Sequence, residues 1–274
     1  MNLIITKLEG EKEFMKEKYW VPAIERAHKV LEEISEHPKK LRLIDLSKKL
    51  EISKSSLYSL LNTLEILGWI TKEEGDTYSL GHSLGALSAG YFHQFDILQS
   101  FYKEASSSVL SINEHIQLGI LKEGDVVYLG KMEGDSRVRL VTDPGMCFPA
   151  YASAIGKIQL IQYSKEQLKQ IYASHNLEKK TPNTITNIDE LYDNVQRAKQ
   201  RGYATENEES AIGFHCVAAP IYNFENKIIA GVSFTMLENS WNVKKDAAQE
   251  EIIKLAYRLS QLAGYTGKVR QNIE

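Results

Sequence analysis

Two stretches late in the chain place chemistry-bearing residues at strand spacing. From Lys227 to Met236 the period-two alternation puts Ile228, Ala230, Val232, Phe234 and Met236 on one face. Ser233 and Thr235 then fall together on the other. In the segment before it, Phe214, Cys216 and Ala218 share a face. If the two faces coincide, a thiol, two hydroxyls and an aromatic ring converge, a lining suited to a small polar ligand. The alternative is that Cys216 is a small core filler while Ser233 and Thr235 face solvent. Other chemistry at these residues is weaker. His215 and Cys216 are neighbours on a strand and point to opposite faces, which argues against one shared zinc ion. A site built from Cys147, Cys216 and His115 lacks any short ligand spacing, so no metal is expected. Cys216 as a nucleophile would need a base and an electrophile site that the sequence does not display. The spacing of Gly81, Gly85 and Gly90 is wrong for a phosphate loop, and no cofactor is expected.

A second constellation lies near the N-terminus. Lys54, Ser55, Tyr58, Ser59 and Asn62 fall at helical offsets opposite the leucines 57, 60, 61, 64 and 67, and Ser56 stands beside them in the first turn. Short hydroxyl and amide groups on one helix face can reach base edges or phosphates. They would equally suit a plain solvated face. Charge favours the first reading. Within His37 to Lys72, seven bases (Lys39, Lys40, Arg42, Lys48, Lys49, Lys54, Lys72) stand against Asp45, Glu51 and Glu65, inside a chain of net charge -3.

The elements that must position these residues follow from punctuation and periodicity. Pro22 opens a helix carrying Ile24, Ala27, Leu31 and Ile34 that His37-Pro38 stops; a second helix spans Leu41 to Leu50; a third starts at Ser53 and ends at Gly68. A hairpin over Trp69 to Leu80 turns at Glu73-Glu74-Gly75-Asp76. Three helices and a hairpin in about 60 residues make a winged helix-turn-helix. An amphipathic helix from Gly81 to about Ser111 comes next. Strands at His115–Leu121, Val126–Met132 and Arg137–Val141 follow, then helices near Ser153–Ile161, after Ser164 and after Asn187. Strands at Cys216–Tyr222 and Lys227–Met236 and a closing helix to Gly264 complete an α+β domain with an antiparallel sheet.

The domain reading is an N-terminal tail over 1–19, the winged helix over 20–82, a linker helix over 83–100 and a larger domain over 101–274. No apolar run approaches the ~20 residues of a membrane span, and the charged N-terminus lacks the apolar core of a signal peptide, so a cytoplasmic protein is expected. Two cysteines cannot supply a disulfide framework, and both are read as buried, reduced thiols.

Longer stretches add a resemblance. LRLIDLSKKLEISKSSLYSLLNTLEILGWI with YSLGHSLGAL resembles the DNA-binding domain of IclR-type bacterial transcription regulators. The runs HIQLGILKEGDVVYLGKMEG, PAYASAIGK, TPNTIT and RGYATENEESAIGFHCVAAPI are similar, in the same order, to that family's effector domain. The resemblance implies a GAF-like effector domain and no enzyme activity. It further implies a homodimer or homotetramer on palindromic double-stranded DNA, and a small carboxylate or sugar acid as effector. It implies pocket positions at Ala154, Ile155 and Glu206, and again at Phe214, Cys216, Ser233 and Thr235. Ser59 stands where an arginine is common, and Glu206, Ile155 and Thr235 are each bulkier than usual, so no particular acid carries over. A redox sensor working through Cys216, or an enzyme on the C-terminal domain, are the competing functions.

Overall fold

The computed structural model describes residues 20–135, 142–173 and 177–267. The expected tail over 1–19 and the expected strand Arg137–Val141 lie outside the described residues. Internal contacts divide the chain between Gln94 and Phe95 into two units.

The first unit contains α1 (Pro22–Glu36), α2 (Leu43–Leu50), α3 (Lys54–Ile66), β1 (Ile70–Lys72), β2 (Tyr78–Leu80) and α4 (His82–Gln94). Pro22 sits in the first turn of α1, where its missing N–H leaves no bond unmade. Ala27, Val30 and Ile34 form the buried face of that helix, whereas Ile24, expected on it, is 66% exposed. Ser53 caps α3 by accepting from the Ser56 N–H at 3.3 Å. Leu57, Leu61 and Leu64 carry α3 into the core with Leu46, Ile70 and Tyr78; Leu60 is half-buried, and Leu67 lies past the helix end and is exposed. Gly68, at φ +69°, then reverses the chain into β1, and β1 pairs antiparallel with β2 as Ile70–Leu80 through Lys72–Tyr78.

The second unit comprises α5 (Ile97–Ile112), β3 (His115–Lys122), β4 (Asp125–Met132), β5 (Cys147–Pro149), a 3₁₀ turn at Ala150–Ala152, α6 (Ala154–Leu160) and α7 (Lys165–Ile171). It continues through α8 (Ile188–Arg201), β6 (Ala204–Asn207), β7 (Phe214–Tyr222), β8 (Ile228–Leu237) and α9 (Glu238–Leu262). The expected single helix from Gly81 to Ser111 is two helices. Asp96 accepts the N–H groups of Leu98 (2.8 Å) and Gln99 (3.2 Å) and so begins α5 afresh, a capping signal that the continuous apolar periodicity masked.

The six strands form one antiparallel sheet in the order β5-β4-β3-β8-β7-β6. The short strands β5 and β6 had no period-two signature in the sequence. Because successive side chains alternate, the long strands β3, β4, β7 and β8 feed two cores. Ile116, Leu118, Val217, Val232 and Phe234 pack with α5 and α9. Val126, Tyr128 and Ala218 pack on the other face with α6, α7 and α8. Gly156 lets α6 lie against the 3₁₀ turn: a Cβ there would collide with the Ala150 backbone. Gly156→Ala is therefore expected to destabilise the second unit by about 1–3 kcal/mol, read as a lower urea midpoint at unchanged slope.

Candidate functional site

All seven residues singled out for ligand binding line one cavity of about 180 Å³ in the second unit. It lies between the sheet and the start of α6, on the face packed by α6, α7 and α8. Strand register explains the convergence. Cys216 stands directly opposite Thr235 on β8 and opposite Glu206 on β6, and Ala218 stands opposite Ser233. The faces of β7 and β8 carrying these groups therefore coincide, and Val232, Phe234 and Met236 take the other side. Ser153 caps α6 by accepting the Gly156 N–H at 3.1 Å, which places Ala154 and Ile155 in the first helical turn at the cavity. Phe214 sits at the start of β7 and closes one wall.

Hydrogen bonds join the polar residues. Thr235 Oγ1 donates to Gln117 Oε1 at 2.9 Å and lies 3.4 Å from Cys216 Sγ; Gln117 Nε2 donates to Thr142. Glu206 Oε1 accepts from the Glu209 and Ser210 N–H groups and from the Ser210 hydroxyl. Its Oε2 is buried without a hydrogen-bond partner among the described residues. Burial raises the Glu206 carboxyl above the ordinary carboxylate range, and the bonds it accepts from Ser210 only partly oppose this. Burial first, and the adjoining Glu206 second, push the Cys216 thiol well up. A thiol so placed is a poor thiolate, which counts against redox chemistry at Cys216. His215 points away, as alternation requires, and stacks on Trp241 with ring centroids 5.6 Å apart. Cys147, read from sequence as buried, is exposed.

Sequence reasoning missed several lining residues. Gln117 was legible in principle, since Ile116 and Leu118 assign it to the opposite face of β3. Tyr128, Ser210 and Ala211 reach the cavity only through tertiary folding. Beneath it lies a further unforeseen group. Lys157 on α6 is fully buried and meets both carboxylate oxygens of Glu209 at 2.5 Å. Thr184 Oγ1 donates to the Glu209 carbonyl at 2.7 Å. Glu206 and Lys157 together pin the segment between β6 and β7 whose Ser210 and Ala211 line the cavity.

The recognition-helix candidates are all exposed: Lys54, Ser55 and Ser56 in the first turn, then Tyr58, Ser59 and Asn62, with Tyr58 at 65%. Ser56 bonds the capping hydroxyl of Ser53 at 2.9 Å, and Ser59 Oγ donates to the Ser55 carbonyl at 3.3 Å. The basic window is less positive than its composition. Lys49 pairs with Glu33 at 2.5 Å, Lys72 with Asp76 at 2.7 Å and Lys39 with Glu73 at 3.5 Å, all acids from outside the window.

Removing one member of a buried ion pair strands the other. Lys157→Met is expected to lower stability by about 3–5 kcal/mol, and adding Glu209→Gln should recover most of it. Urea unfolding of the two variants checks this; equal loss in both would show that the charges do not compensate each other.

The model of the bacterial transcriptional regulator IclR C-terminal domain matches residues 89–261, and that of the IclR helix-turn-helix domain matches residues 23–74. The HTH-type transcriptional regulator XynR of Escherichia coli is 29% identical over 249 residues, 89% of this chain and 98% of that protein. The HTH-type transcriptional repressor AllR of Escherichia coli is 24% identical over 85% of this chain and 86% of its own length. The crystal structure of the Agobacterium tumefaciens repressor BlcR superposes with a TM-score of 0.80 at 23% identity, covering 90% of this chain and 99% of that one. The chain belongs to the IclR family of bacterial transcriptional regulators.

Proposed function

We propose that this regulator is a ligand-responsive repressor, working in the cytoplasm as a homodimer or homotetramer on a palindromic operator and without enzyme activity. The exposed polar face of α3 supplies the operator contact. Its leucines are committed to the core, so Lys54, Tyr58, Ser59 and Asn62 are the groups left to meet DNA. Short hydroxyls already bonded to the helix backbone are weak phosphate ligands, and three of the seven local bases are paired. A single copy therefore grips DNA weakly, and two or more copies are needed for specific affinity. Repression is the direction that the similar AllR repressor suggests.

The observation that carries the ligand half is the cavity. Its roughly 180 Å³ falls below the ~300–1,000 Å³ of sites for drug-sized ligands, so the effector is small. Ser233, Thr235, Gln117 and Cys216 favour a hydroxylated molecule, and among the described residues neither lysine nor arginine lines the space. A carboxylate is accommodated in two ways. The Ala154 and Ile155 N–H groups in the first turn of α6 lack intrahelical partners, while Ser153 takes that of Gly156, and burial raises the Glu206 carboxyl, which weakens its repulsion of an anion. A small hydroxy or sugar acid satisfies both ends. Ligand can shift operator affinity only by binding one arrangement of the protomers better than the other.

Two measurements test this reading. Replacing Tyr58 and Asn62 by Ala should weaken specific operator binding about tenfold or more with unfolding unchanged, since both side chains are exposed; undiminished affinity in a gel-shift titration removes α3 from the mechanism. Ser233→Val should abolish the response to small hydroxy acids while the ligand-free protein still binds operator. Wild-type calorimetric affinity in that variant would place the effector elsewhere.

A further inference from the structure

A second cavity, about 450 Å³, lies in the same unit but away from the first. It occupies a notch at the sheet edge. β6 pairs with β7 only from Ala218 to His215, so the stretch Ala219–Tyr222 has no outer strand neighbour among the described residues. Pro220 falls in that stretch, where a missing N–H forfeits no ladder bond and further strand pairing is blocked. Ser260 on α9 accepts the Tyr222 N–H at 3.0 Å and seals the end of the strand.

The lining is unusual in its charge. Lys199 and Arg201, at the end of α8, are both present, and no carboxylate among the described residues lines the cavity. Arg201 is half-buried and forms no ion pair with a carboxylate among the described residues. It spends Nε on the Tyr203 carbonyl (2.9 Å) and one Nη2 hydrogen on Thr205 Oγ1 (3.1 Å), and its guanidinium lies 4.6 Å from the Tyr203 ring centroid. A guanidinium has five N–H donors, so three have no partner among the described residues. The C-terminal end of α8 opposes its charge with only about half a unit. The same cavity has aromatic walls: Tyr222 and Tyr265 stack with ring centroids 5.1 Å apart, and Tyr257 also lines it.

We propose that this notch is a second ligand site, taking a planar aromatic carboxylate whose anion meets the free donors of Arg201 and whose ring lies among the tyrosines. Charge-assisted bonds to the half-buried guanidinium supply the affinity and the aromatic walls supply the shape selection. The volume lies within the range of small-molecule sites. The site is independent of the first cavity, with which it shares no lining residue.

The test uses the full chain and benzoate as probe, titrated by equilibrium dialysis and followed by ligand-observed NMR. Saturable binding is expected, retained in Ser233→Val, weakened about tenfold or more in Arg201→Gln, and weakened less in the exposed Lys199→Gln. Because Arg201 also bonds Tyr203 and Thr205, its variant is compared at matched unfolding temperature, and Lys199→Gln gives a second reading that leaves those bonds intact. Absence of saturable binding, loss of binding in Ser233→Val, or unchanged binding in both cation variants would overturn the proposal. Equal displacement of benzoate by inorganic phosphate would overturn the recognition of the ring. Dissociation of the protein in Arg201→Gln would instead make the notch a subunit interface and overturn it as a ligand site.

Discussion

The register between β7 and β8 governs what the second unit can do. Side chains on a strand alternate strictly, so pairing Cys216 with Thr235 and Ala218 with Ser233 sends the thiol and both hydroxyls to one face and Val217, Val232 and Phe234 to the other. A slip of one residue would bury the hydroxyls against α9 and turn the aliphatic row toward the cavity. The apolar row is thus the constraint that keeps the polar row in register. The same logic extends to β3, where Ile116 and Leu118 enter the α5–α9 core and Gln117 is left to bond Thr235.

A polar patch on a buried face is unfavourable unless its groups are satisfied. Here the helices of that face supply both cover and partners. Ser153 caps α6 at the cavity, and Glu206 ties the chain between β6 and β7 through three accepted bonds. Lys157 anchors the same segment from below. Burial lowers its pKa and the facing Glu209 opposes that shift, so the charge of each is tolerable only because of the other. Desolvation thereby turns a loop between two strands into a fixed wall of a cavity.

The first unit solves a simpler problem. Its small core takes one face from each of three helices and one residue from each strand of the hairpin. That arrangement leaves the outward face of α3 with no packing role, so its residues are free to be chosen for contact. Its ion pairs to acids outside the basic window hold down the local charge, which limits non-specific attraction to phosphate.

Local rules reached the elements with strong periodicity or a clear cap: α1 with its proline, α3 with Ser53, the wing, and the long strands β3, β4, β7 and β8. The shared face of Phe214, Cys216, Ser233 and Thr235 was likewise legible, because alternation is a property of the strand itself. Family likeness, not periodicity, supplied Ala154, Ile155 and Glu206. Tertiary structure alone decided the rest. The break at Asp96 was hidden because an apolar stripe can run on through a cap, and β5 and β6 are too short to show a period. The Lys157–Glu209 pair joins residues 52 positions apart, and nothing local in either residue announces the other. Which charges remain free, and which cavity a side chain reaches, depend on neighbours distant in the chain, and those are fixed only when the sheet and its two helical layers close.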